Sequence, residues 1–256
     1  MTRTAPVSAI VPLFNGRRFI REAIDSILAQ ELKPREIIVI DDGSTDDGPD
    51  LLESYPELRV IRQPNGGEAV ARNRGIQKSE QPLIAFLDQD DLWLPQKLSL
   101  QFRVLQADAS VELVFGQHRL FVEDDARWFR QDLLGKALTA ELPGSLVVRR
   151  AVFERIGQFR EDLRRGSDVD WICRAQDAGV KSQLVDAVLL RRRVHQANSS
   201  IDETLFMHGL LDVARASVQR KRHLSTVRQV EPGQCQEPPP RLPRGVARHC
   251  LEIKGD

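Results

Sequence analysis

Three carboxylates crowd into four positions at Asp88, Asp90 and Asp91, with Gln89 between the first two, at the end of the apolar run 83–87. Like charges at the end of a buried strand repel one another, so a positive partner is required. A divalent cation held by one or two carboxylates and completed by substrate phosphates meets that need, because Mg²⁺ and Mn²⁺ prefer oxygen ligands. If the strand continues, period-two geometry turns Asp88 and Asp90 to one side and Asp91 to the other. The same acids would also serve as caps for a helix beginning near Pro95, or stand solvated in a loop. Asp-X-Asp by itself does not decide. A second acidic run, Asp41-Asp42-Gly43-Ser44-Thr45-Asp46, follows the β-branched stretch 36–40. Gly43 permits a sharp turn, and a carboxylate beside it can accept hydrogen bonds from a ribose or a pyrimidine edge. Taken alone, an Asp-Gly turn with a helix cap explains that run as well.

The elements that would position these acids alternate regularly. Strands are expected at 7–11, 36–40, 58–61 and 83–87, with helices at 20–28, 49–54, 68–78 and 95–106 between and after them. Ile20, Ile24, Ile27 and Leu28 form an i, i+4, i+7, i+8 stripe. Strand and helix alternating at this spacing predict a doubly wound α/β layer. Ligands of such sheets sit outside the carboxyl ends of the strands. Asn15-Gly16, Asp41-Asp42, Asn65-Gly66-Gly67 and Asp88 to Asp91 each follow a strand, so four polar loops converge on one edge. Beyond a strand at 111–115 the pattern loosens. Helices are expected at 149–156 and 169–178, with Gly157 and Gly179 ending them, and an extended segment at 184–193. The division is then a regular half carrying these loops at 5–110, a looser half at 111–200, a helix at 201–224 and a Pro/Arg-rich tail at 225–256.

Composition narrows the class. The 256 residues carry 37 Lys+Arg against 37 Asp+Glu, which excludes a protein built to coat nucleic acid. Hydrophobic residues at 41% supply a core, and no apolar run approaches the ~20 residues of a membrane helix. The polar start leads straight into a strand-like segment, so no signal peptide is expected. Three dispersed cysteines fit neither a disulfide framework nor a zinc site. These features point to a cytoplasmic protein, with Arg191-Arg192-Arg193 and Arg220-Lys221-Arg222 either attracting a phosphate-bearing or membrane-linked partner at the inner face of a membrane or forming a solvated charged face. No G-x-G-x-x-G follows a strand, against a dinucleotide oxidoreductase. A phosphatase with Asp88 as nucleophile would leave Asp41 and Asp42 without a role.

Taken in order, several segments resemble glycosyltransferase family 2, the inverting enzymes with the GT-A fold. They are Val11-Pro12-Leu13-Phe14-Asn15, Val39-Ile40-Asp41-Asp42-Gly43-Ser44-Thr45-Asp46, Asn65-Gly66-Gly67 with Ala71-Arg72-Asn73-Arg74-Gly75, and Phe86-Leu87-Asp88-Gln89-Asp90-Asp91 with Trp93 and Pro95. Gly157-Gln158-Phe159, Gly166-Ser167-Asp168-Val169-Asp170-Trp171 and Arg193-Val194-His195 with Asn198-Ser199 continue the series to about residue 200. The resemblance implies a Rossmann-like mixed sheet flanked by helices, with a nucleotide sugar, a UDP-sugar above all, as donor and Mn²⁺ or Mg²⁺ as cofactor. It makes 5–110 the nucleotide-sugar-binding half and 111–200 the acceptor-binding half. It implies that Pro12 and Phe14 belong to the first uridine-contacting loop, that Asp42 contacts uracil or ribose, and that Arg72 reaches toward the nucleotide. Asp88 and Asp90 match the Asp-X-Asp pair, with Asp90 the direct metal ligand. Asp168 matches the catalytic base, although Ser167 stands where the family has Glu.

The chemistry implied is a single displacement. A cation at Asp90 and Asp88 would stabilise the departing diphosphate, while a carboxylate on the opposite face takes the proton of the acceptor hydroxyl. Ser167-Asp168-Val169-Asp170 also reads as a helix start with Ser167 as N-cap, which would give Asp168 and Asp170 capping roles instead. His195 would contact the diphosphate or the metal from its loop, or make a structural hydrogen bond. Trp171 fits a core or an acceptor wall. The acceptor would be a glycan or lipid-linked molecule in surface-polysaccharide assembly, and the competing expectation is a catalytically impaired nucleotide-sugar-binding protein of the same fold.

Overall fold

A computed structural model of the chain describes residues 3–123, 134–139, 141–163, 165–196 and 217. The expected helix at 201–224, the tail at 225–256 and Asn198-Ser199 lie outside the described residues, apart from residue 217.

The first four strands are β1 (Thr4–Leu13), β2 (Lys33–Asp41), β3 (Leu58–Arg62) and β4 (Leu83–Phe86), joined through helices α1 (Ile20–Leu28) and α2 (Glu68–Lys78) and a short 3₁₀ turn at Asp50–Ser54. The chain continues through β5 (Leu92–Trp93), α3 (Lys97–Ala107), β6 (Leu113–Val122), β7 (Ala137–Leu138), a 3₁₀ turn at Pro143–Ser145, β8 (Val147–Arg149), α4 (Arg150–Ile156), α5 (Ser167–Asp177) and β9 (Ser182–Val194). The strands form one sheet in the order β3-β2-β1-β4-β8-β6-β9-β5, with β7 paired to β6. β1 through β4 pair in parallel; β8 is antiparallel to both β4 and β6, and β6 runs parallel to β9. This is the mixed α/β sheet that the alternating pattern predicts.

Both faces of the sheet are covered, and strand periodicity decides which residue serves which face. Val7, Ala9, Val11 and Leu13 of β1, with Leu83 and Ala85 of β4, pack against Ile20, Ile24 and Ile27 of α1 and Leu98 and Leu105 of α3. The alternate residues Ile10, Ile84 and Phe86 join Ala69 and Ile76 of α2 and an aromatic cluster from the second half. Two-sided burial explains why these strands read as continuous apolar runs instead of alternating ones. Gly75 marks the closest approach of α2 to the sheet, since a Cβ there would stand 2.3 Å from Ile10 Cγ2.

Two expected elements differ. The segment at 49–54 is a single 3₁₀ turn with only Leu52 buried, because five residues cannot sustain an α-helical nucleus without a packed face. The strand at 111–115 extends to Val122, held over its length by β9, with register shifts around Gln117 that no local pattern announces.

Candidate active site

The cleft lies where the strand order reverses. β1, β2 and β3 are laid down on one side, and β4 returns to the other side of β1, so the loops after β1 and β4 part at their carboxyl ends. The opening holds about 660 Å³, in the range of small-molecule sites. Pro12, Phe14, Asp42, Asp88, Asp90 and His195 all line it. Arg72, Asp168, Asp170 and Trp171 do not.

The loops are knitted together by side chains that accept backbone N–H groups. Asn15, at φ 49°, accepts from Thr45 N at 2.8 Å and donates its own N–H to Ser44 Oγ at 3.0 Å. Asp41 Oδ1 accepts from Ser44 N at 2.8 Å, closing the turn that Gly43 allows at φ 78°. Asp42 accepts from Gly66 N at 2.9 Å, Gly67 N at 2.7 Å and Gln63 Nε2 at 2.7 Å. Its carboxylate therefore fixes the loop before α2 while bordering the cleft. Gln89 pairs with Phe14 as a strand would, donating to its carbonyl at 3.0 Å and accepting its N–H at 2.8 Å. Anchored so, the Phe14 ring stays 44% exposed on the cleft rim, where it can lie against a flat ligand.

The Asp88–Asp91 run is a turn and not a continuing strand: Asp91 N donates to Asp88 O at 3.1 Å, and β4 ends at Phe86. The expectation of period-two sides is corrected accordingly, and each acid meets a different partner. Asp88 accepts from Arg72 at 2.7 Å. Asp90 Oδ2 lies 2.9 Å from His195 Nε2. Asp91 is buried and accepts the Arg193 N–H at 2.8 Å. Burial pushes the Asp91 carboxyl well above the usual range, and the neighbouring Asp90 and Asp88 charges push the same way.

Arg193 is the hub between this turn and the end of β9. It is buried, donates from Nε to the Asp90 carbonyl at 2.8 Å, forks to Glu22 at 2.7 Å and to Glu123, and lies over the rings of Phe19 and Phe121 at 4.4 and 4.7 Å. Phe19 in turn packs on the His195 ring at 4.7 Å. The imidazole reaches Asp90 because this scaffold holds both.

A fourth carboxylate completes the group. Glu68 opens α2, lines the cleft with its side chain 51% exposed, and pairs with Arg72 one turn on. The Arg72 charge lowers the Glu68 pKa, while desolvation and the charges of Asp88, Asp168 and Asp90 act in the other direction and raise it. Arg72 itself is buried; desolvation opposes its charge, and Glu68, Asp88 and Asp168 more than restore it. Asp168, from the start of α5, thus acts on the same two residues as Asp88, while Asp90 acts on Glu68.

A match to the model of glycosyl transferase family 2 spans residues 8–171. The chain belongs to that family. An uncharacterized glycosyltransferase of Rickettsia typhi is 34% identical over 211 residues, covering 76% of this chain and 65% of that protein. TuaG of Bacillus subtilis, named as a teichuronic acid biosynthesis glycosyltransferase, is 35% identical over 130 residues, 48% of this chain and 51% of its own. The crystal structure of S. aureus TarS 1-349 in complex with UDP-GlcNAc superposes with a TM-score of 0.62 at 20% identity, covering 75% of this chain and 59% of TarS 1-349. The chain thus spans less than two thirds of the length of these relatives. The GT-A sheet expected from the sequence is the fold found.

Within this family 2 domain, Asp170 and Trp171 fall away from the cleft. Asp170 is buried and holds Arg174 at 2.8 Å, which caps the end of α4 through the Ile156 and Gln158 carbonyls. Trp171 stacks on Phe153 at 4.6 Å and donates to the Gly157 carbonyl at 2.9 Å, as a core residue. The N-cap of α5 is Gly166 in the left-handed region at φ 75°, and Ser167 is the first helical residue, so capping by the serine side chain is also corrected. Sequence reasoning missed Gln89, Glu68 and the hub role of Arg193. Gln89 was visible only as the unassigned middle of Asp-X-Asp, and Glu68 only as the first acid of a helix.

No three His, Cys, Asp or Glu side chains converge as a metal-holding group among the described residues. Asp90 and His195 form a pair instead. They hydrogen-bond to each other at 2.9 Å, and a carboxylate oxygen beside an imidazole nitrogen is a donor set for a divalent cation whose other positions phosphates and water fill. This donor set fits a divalent ion bound together with a diphosphate.

Proposed function

We propose that the chain carries the catalytic domain of an inverting transferase that moves a sugar from a UDP-sugar to an acceptor hydroxyl. The observation that carries this reading is one cleft at the carboxyl edge of the sheet, lined by Phe14, Asp42, Asp88, Asp90 and His195 from the ends of four different strands. In this reading Phe14 lies against the uracil ring, and the loop that Asp42 fixes presents the ribose pocket. Asp90 and His195 hold a Mn²⁺ or Mg²⁺ ion, with Asp88 beside them and tied to Arg72. When bound, the ion supplies positive charge for the departing diphosphate. Arg18 and Arg192, the cationic side chains lining the cleft, add to the field that draws in an anionic donor. Asp168, beyond Glu68, orients the acceptor hydroxyl and takes its proton at a carboxylate oxygen as the new bond forms.

The UDP-GlcNAc complex of TarS and the name of TuaG support a nucleotide-sugar donor and an acceptor in cell-surface polymer assembly. No helix of the described residues is long and apolar enough to cross a membrane. Titration of UDP with and without Mn²⁺, followed by a donor screen for transfer, tests the reading; absence of UDP binding in the presence of Mn²⁺ would reject it. Ser167, in place of the family's Glu, favours a second reading of donor binding without turnover, recognised by tight UDP-sugar binding with neither transfer nor donor hydrolysis.

A further inference from the structure

We infer that Glu68 is a specificity-determining residue that accepts hydrogen bonds from hydroxyls of the transferred sugar. This inference rests on the reading of the cleft just given. Glu68 lines the cleft and leaves half of its side-chain surface open to it. Its carboxylate is not free to swing, because Arg72 Nη2 binds it and, at 2.7 Å, Asp88 as well. One buried guanidinium nitrogen thus sets the positions of two acids from different loops.

Position and charge then define the ligand group. Glu68 lines the same cleft as Asp88 and Asp90, and Arg72 joins it to Asp88. It therefore stands on the cleft wall beside the acids assigned to the leaving-group side, within reach of the sugar that the diphosphate carries. A carboxylate on that wall repels the diphosphate, so it contributes nothing to holding phosphates. Its carboxyl oxygens suit the hydroxyls of a sugar ring as hydrogen-bond partners. A fixed acceptor rejects an epimer whose hydroxyl points elsewhere, since the misplaced donor and the carboxylate both lose a partner. The competing explanation, an i,i+4 ion pair that merely steadies α2, would leave donor choice untouched.

The test measures affinities of wild type, Glu68→Ala and Glu68→Gln for UDP and for a panel of UDP-hexoses and UDP-N-acetylhexosamines that includes C4 epimers, with Mn²⁺ present. The sugar increment is the ratio of UDP to UDP-sugar dissociation constants, and melting temperatures verify folding. Wild type is expected to show an increment for one epimer at least 10-fold above that for the other. Glu68→Ala should reduce this discrimination to within about 2-fold while UDP affinity changes by less than about 3-fold. Glu68→Gln, which keeps one acceptor oxygen and the side-chain shape, should fall between. The inference is overturned if wild type shows no epimer discrimination, or if Glu68→Ala retains it, or if the variant weakens UDP and every UDP-sugar alike. A wild-type protein that binds neither UDP nor any UDP-sugar would instead overturn the reading of the whole cleft.

Discussion

Two acidic runs follow the two parallel strands that flank β1, and the protein uses them in opposite ways. After β2, Asp41 and Asp42 are almost completely buried; N–H groups of Ser44, Gly66, Gly67 and Gln63 hold three of their oxygens, and Asp41 Oδ2 faces Arg62 at 3.4 Å. After β4, Asp88 and Asp90 stay partly open and face the cationic or ionisable side chains of Arg72 and His195. A carboxylate tied to backbone N–H groups is committed to one loop geometry. One that faces side chains can exchange partners when a ligand arrives. The first run builds the site and the second is left to act in it.

The largest expected effect that would sharpen this contrast is on Asp90. Asp90→Ala should reduce transfer on the order of 10³-fold and weaken Mn²⁺-dependent UDP binding while leaving the melting temperature close to wild type. Unchanged turnover would remove Asp90 from the ion site. Asp168→Asn should retain UDP affinity and lose transfer by on the order of 10²-fold or more, read as kcat with KM for the donor held. Near wild-type kcat would reject its role as base. Asp42→Ala should reverse the pattern, costing about 1–3 kcal/mol of stability in chemical denaturation because three N–H donors, one of them on buried Gln63, lose their acceptor. A fully stable variant would mean that the first run is as replaceable as the second.

The smallest effect concerns pH and a residue in neither run. His118 on β6 is buried; desolvation, with the Arg192 charge adding to it, pushes its imidazole from 6.5 down to about 4. The unfolded chain therefore binds the proton first as pH falls below 6.5, and stability is lost progressively down to pH 4, by up to about 3 kcal/mol. His118→Phe should flatten the stability profile between those values. An unaltered slope would assign the acid sensitivity of the fold to the carboxylates instead.

The strands, the helix α2 from Glu68 to Lys78 and the convergence of four polar loops were legible because two-sided burial writes continuous apolar runs and parallel strands end on one edge. Asp88, Asp90 and the β1 loop were legible for the same reason. The turn at Asp88–Asp91 was not, since strand period has no way to signal where pairing stops. Nor was the division of labour between the acidic runs. Asp42 and Asp90 look alike as residues, and only their partners distinguish them.

The amino-acid sequence by itself determined the sheet, its polar edge and the chemical types gathered there, because burial periodicity and turn chemistry are local properties. Which acid meets which cation was decided by tertiary structure alone. Gln89 finds Phe14 across 75 residues, Asp91 finds Arg193 across 102, and Asp90 finds His195 across 105. Hydrogen bonds and charges act over a few ångströms of space, and only the folded sheet converts those separations in sequence into such distances.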